Sequence, residues 1–93
     1  MITHIVLWKV KQQEDISSIR KALESLPERV LGIKRLVVGV PENPSGPMAD
    51  ISLYSEFEAW DDLRAYQVHP EHQKVVEFLK TRVTERHVSD YES

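Results

Sequence analysis

The first ten residues constrain the fold more than any other stretch. From Ile2 to Val10 the side chains alternate between two sets, Ile2, His4, Val6, Trp8 and Val10 against Thr3, Ile5, Leu7 and Lys9, and both sets are mainly apolar. A β-strand sends successive side chains to opposite faces, so this pattern describes a strand that needs cover on both sides. An antiparallel sheet usually turns one face to water and becomes polar there. The second apolar face therefore requires a further layer, and a second copy of the chain is the simplest source of one.

At 93 residues the chain is expected to form a single domain, residues 1–93, with one core that oligomerisation would enlarge. Hydrophobic content of 41% with 29% charged residues is that of a folded globular protein. The formal charge of −3 comes from interspersed lysines and glutamates, with no basic stripe, so nucleic acid is not an expected partner. The absence of cysteine removes disulfides, thiolate metal sites, iron–sulfur clusters and a cysteine nucleophile together. Ile5 to Trp8 is too short an apolar run for a signal-peptide core and lacks a basic leader, and no run reaches transmembrane length. A cytoplasmic location with no membrane partner is the expectation.

Asp15 is placed to cap a helix whose residues Ile16, Ile19, Leu23 and Leu26 form an apolar stripe, with Pro27 and Gly32 ending it close to Leu26 or slightly beyond in a tightened turn. Ile33 to Val40 reads as a strand. Pro41 to Pro47, with three prolines, reads as a stiff connection that either caps a pocket mouth or simply links strands. Met48 to Phe57 alternates as a third strand, and Glu58 to Gln67 is a helix with Ala59, Leu63 and Tyr66 on one face. His69 precedes Pro70 and is pushed out of helical geometry, while Pro70 suits the first position of a new helix. In that second helix His72, Val76, Leu79 and Val83 share a stripe, and Val83 to Tyr91 closes the chain as an edge strand with His87 at the surface. The order β-α-β-β-α-α-β is a split βαβ arrangement, an α+β fold with helices on one face of a four-stranded antiparallel sheet.

One polar cluster is suited to chemistry: Tyr66-Gln67-Val68-His69-Pro70-Glu71-His72. His72 falls in the first turn of a helix, where the positive end of the dipole disfavours protonation and a neutral, proton-accepting imidazole is expected. Structural roles compete with this: His69 can brace the helix break, His4 can be a hydrogen-bonded core histidine, and Tyr66 can be a core aromatic. The histidines lack HxxxH or HExxH spacing and an obvious carboxylate partner, so no metal is expected.

From end to end the chain resembles the stress-responsive dimeric α+β barrel family, known as Dabb. The residues that carry the resemblance are the opening Met1-Ile2-Thr3-His4-Ile5-Val6-Leu7-Trp8-Lys9, Gly39, Glu56-Phe57, Asp62-Leu63, Tyr66-x-x-His69-Pro70-x-His72 and Asp90-Tyr91. The resemblance implies a ferredoxin-like protomer whose sheet packs against its two-fold mate to close a dimeric α+β barrel, a homodimer. It also implies a pocket for a small-molecule ligand between helices and sheet. In the similar olivetolic acid cyclase type of plant polyketide cyclase, such a pocket performs an aldol ring closure without metal or cofactor. Carried over residue by residue, His72 is the candidate base, Tyr66 the hydroxyl donor, and His4 a group that orients His72 or binds a substrate hydroxyl. The implied lining is His69, Val6, Trp8, Leu63 and Val76. Trp8 places a bulky indole on the same face as His4, so a pocket built for a long alkyl chain in the plant enzyme is expected to be short or filled here, and the substrate does not carry over. Two other readings stand beside cyclase-like chemistry: a non-enzymatic ligand-binding or stress-response dimer, and a monooxygenase or isomerase of the wider dimeric barrel group.

Overall fold

A computed structural model describes residues 1–93. Four strands, β1 (Ile2–Val10), β2 (Ile33–Gly39), β3 (Ile51–Phe57) and β4 (Val83–Glu92), form one sheet in the order β2-β3-β1-β4, with every neighbouring pair antiparallel. Helices α1 (Ile16–Glu24), α2 (Leu26–Arg29), α3 (Trp60–Val68) and α4 (Pro70–Lys80) supply the second layer. This is a ferredoxin-like α+β fold. No helix is long and apolar enough to cross a membrane.

The core lies between the layers. Ile2, Val6 and Trp8 of β1 and Leu53 and Phe57 of β3 meet Ile19, Leu23, Leu26, Leu63, Tyr66 and Leu79 from the helices, all buried. Period-two strands and 3.6-period helices thus turn their apolar positions to one interior.

Four local expectations need correction. Asp15 makes no side-chain cap; its own backbone is already helical at the end of a 3-10 turn, Gln13–Asp15, that leads into α1. Pro27 does not merely end the first helix, since it occupies the first turn of a separate short helix, α2, where its missing N–H is not needed. Met48 to Asp50 lie outside β3: the Asp50 carboxylate instead accepts the Val10 N–H at 2.8 Å and the Gln13 side-chain amide at 3.3 Å, tying off the end of β1. Helix α3 starts at Trp60, because Ala59 is still extended. Two glycines are needed where they stand. Gly32 turns the chain into β2 at φ +100°, and a Cβ on Gly39 would sit 2.8 Å from the Ser52 hydroxyl oxygen.

The far side of the sheet carries no helix. Register places Val37, Tyr54, Ile5 and Ser89 in one row across all four strands and Gly39, Ser52, Leu7 and His87 in the next. Leu7 remains 39% exposed and Val37 44%. The second apolar face of β1 is therefore real and lacks cover within the protomer.

Candidate functional site

Pro70 organises the site. It forces His69 into extended geometry (φ −64°, ψ 135°), which stops α3 and lets α4 restart at an angle to it. The His69 Nδ1 accepts the Glu71 backbone N–H at 3.1 Å, and the Gln73 N–H reaches the His69 carbonyl at 2.9 Å. His69 is thus the N-cap of α4, and one of the first-turn N–H groups that could have held an anion is taken up by the chain itself.

One turn later, His72 donates from Nδ1 to the Gln67 carbonyl at 3.1 Å. A carbonyl only accepts, so that partner assigns the proton to Nδ1 and leaves Nε2 of the neutral ring bare. Burial pushes the imidazole below its ordinary value of 6.5; the Gln67 carbonyl opposes the fall, and nearby His4, Arg86 and His69 deepen it. The ring lies against Tyr66, with centroids 4.2 Å apart.

Tyr66 comes from the last turn of α3 and is 1% exposed, tilted against Phe57 at 5.2 Å. Burial holds its phenol well above the usual value, with only Arg86 pulling the other way, and no hydrogen bond to protein contributes. The hydroxyl is therefore protonated and free to donate. His4, near the start of β1, meets the Tyr66 ring edge-on at 6.0 Å. Its Nδ1 donates to the carboxylate of Asp90, which stands directly opposite on β4.

These three side chains line one cavity of about 330 Å³ between α4, the end of α1 and the β3-β1-β4 side of the sheet. Val6, Trp8, Leu23, Leu53, Val75, Val76, Leu79 and Val83 form its apolar wall, and Glu77, Lys80 and Arg86 lie at its exposed edge. Trp8 is one wall of this space and does not fill it. Of the residues anticipated from sequence, His4, Tyr66, His72, Val6, Trp8 and Val76 face the cavity. His69 and Leu63 do not: His69 is turned back to cap α4, and Leu63 is packed into the core at 2% exposure. The histidines do not gather with carboxylates into a metal site.

Asp90 entered the sequence reading only as part of the family pattern, with no role in the site, and Arg86, Lys80 and Glu77 did not enter it. Period two links positions 86, 88 and 90, and antiparallel pairing of β4 with β1 sets Arg86 opposite Trp8, Val88 opposite Val6 and Asp90 opposite His4. That pairing joins residues at opposite ends of the chain and leaves no local trace.

The same architecture occurs in solved structures. A dimeric protein of unknown function with a ferredoxin-like fold from Bacteroides fragilis is 34% identical, with a TM-score of 0.86 over 99% of this chain and 95% of that one. A dimeric ferredoxin-like protein of unknown function from Thermobifida fusca is 22% identical, with a TM-score of 0.85 over 97% and 88%. Hydroxynitrile lyase from Passiflora edulis, at 18% identity and a TM-score of 0.84 over 97% and 90%, shares the fold. No curated protein matches the chain by sequence. Residues 2–93 match the stress responsive A/B barrel domain, Dabb, along their whole length, and the chain belongs to that family.

Proposed function

We propose that this protein is a cytoplasmic homodimer, closed through the uncovered sheet faces, in which each cavity takes a small organic molecule bearing an acidic C–H next to a carbonyl. His72 Nε2 removes the proton, the electron pair moves onto the carbonyl oxygen, and the Tyr66 hydroxyl donates to the oxyanion that forms. In an aldol-type closure the enolate carbon then bonds to a second carbonyl of the same molecule, and the imidazolium returns its proton to the new alkoxide. No cofactor takes part. His4, held by Asp90, keeps the Tyr66 ring in place from its edge.

One observation carries this reading: a bare imidazole nitrogen, fixed by the Gln67 carbonyl, beside a phenol with no protein partner, both on one largely apolar cavity. The test is solvent deuterium exchange at the α-carbon of a ketone probe, followed by proton NMR. Exchange with the native protein and a fall of about a hundredfold or more in His72→Asn is the expected result. A second reading, ligand binding without turnover, draws on the mainly apolar wall. Saturable binding of the probe with no exchange above buffer would select it.

A further inference from the structure

The cavity edge carries charge that the chemistry proposed above does not use. Arg86, on the helix-side face of β4 opposite Trp8, and Lys80, in the last turn of α4, both line the space, and neither is within ion-pair distance of a carboxylate. Glu77, one turn before Lys80, is the one carboxylate on the lining, and it too is unpaired. Two cations against one carboxylate leave a single net positive charge at the mouth. Asp90, nearby on β4, is engaged by His4. The field of Arg86 reaches inward far enough to act on both Tyr66 and His72.

We propose that the ligand is a carboxylic acid: an apolar, aromatic-sized body lies along Val6, Trp8 and Leu79, its carbonyl faces Tyr66 and His72, and its carboxylate is held at the mouth by Arg86 with Lys80. The guanidinium presents a planar fork that matches a carboxylate in a two-point contact, whereas the ammonium of Lys80 acts as a point charge. A neutral ligand would leave the two cations unused, and a dianion would exceed the net charge available. Arg86 is thus the specificity-determining residue. This rests on the small-molecule reading of the site but not on turnover.

The test uses 3-benzoylpropanoate, a stable keto acid with exchangeable hydrogens beside its ketone, and its neutral amide, 3-benzoylpropanamide. Binding is read from Trp8 fluorescence in a Trp60→Phe background and by calorimetry, and exchange beside the ketone is followed separately. The acid is expected to bind about tenfold more tightly than the amide. Arg86→Leu should remove that preference, Arg86→Lys should keep part of it, and Glu77→Gln should widen it. High salt should weaken the acid and leave the amide unchanged. Equal affinity for acid and amide, a preference that survives Arg86→Leu, or no saturable binding of either overturns the inference. Preference for the acid without exchange at the ketone keeps it and removes the proposed chemistry, while exchange with no preference does the reverse.

Discussion

The two faces of the sheet begin from similar sequence and end in different states. On the helix side, Ile2, Val6, Leu53 and Phe57 are at most 2% exposed. On the open side, Ile5, Leu7, Val37 and Tyr54 form an apolar centre bounded by Arg35, Glu56, Glu85 and His87, and nothing in the protomer covers it. The helix side is itself covered unevenly. Cover is dense over β3 and β1 and thins toward β4, where Val88 stays 42% exposed; the cavity occupies that thinning. One face is thus a finished core with a gap at its edge, and the other an apolar surface that nothing in the protomer covers.

The largest effect is expected on the finished face. Phe57→Ala should remove about 3–5 kcal/mol of stability in urea denaturation, since a fully buried ring that also backs Tyr66 leaves a cavity that its neighbours cannot close. The paired change Leu7→Glu with Val37→Glu, on the open face, should leave the protomer folded but weaken self-association by roughly a hundredfold, placing like charges in an apolar interface. Light scattering would then report 10.8 kDa in place of twice that mass. A native protein that is already monomeric at micromolar concentration would remove the interface reading.

At the cavity, Tyr66→Phe should change stability by less than about 1 kcal/mol, because the hydroxyl has no protein partner to lose, yet slow ketone exchange by about a hundredfold. His69→Ala has the opposite signature: about 1 kcal/mol of stability lost with the α4 cap, and exchange retained per folded molecule. A variant in which both measurements fell in parallel would place that residue in a different role.

The smallest effect is a pH dependence. Folding lowers the His72 pKa below 6.5, so the unfolded chain binds the proton more readily. The contribution of His72 to stability is therefore complete above pH 6.5 and is lost as pH falls from there through the lower folded value. The difference in stability between native protein and His72→Asn should change across that window and flatten on either side.

Much of the fold was legible because its signals are local. The doubly apolar Ile2–Val10, the stripe through Ile19 and Leu23, and the break at His69-Pro70 all depend on neighbours a few residues away. The inward positions of Tyr66 and His72 followed from the same periodicities. His69 reads both as a brace of the helix break and as a lining residue; Pro70 fixes its backbone so that Nδ1 turns to the Glu71 N–H, and the brace is the role it takes. Asp15 misleads, as the 3-10 turn before it had already brought its backbone into helical geometry. The place of Asp90 beside His4 and of Arg86 beside Trp8 was not legible, because only the β1-β4 register, joining the two ends of the chain, sets those pairs together.

The proton abstraction proposed for the cavity depends on His72 being a neutral imidazole with its proton on Nδ1. Nitrogen-15 NMR of histidine-labelled protein, titrated with pH and assigned with His72→Asn, reads both the tautomer and the titration. The result predicted is an Nδ1-protonated ring with a midpoint below 6.5. An Nε2-protonated ring, or a midpoint above about 7, would contradict a base at this position.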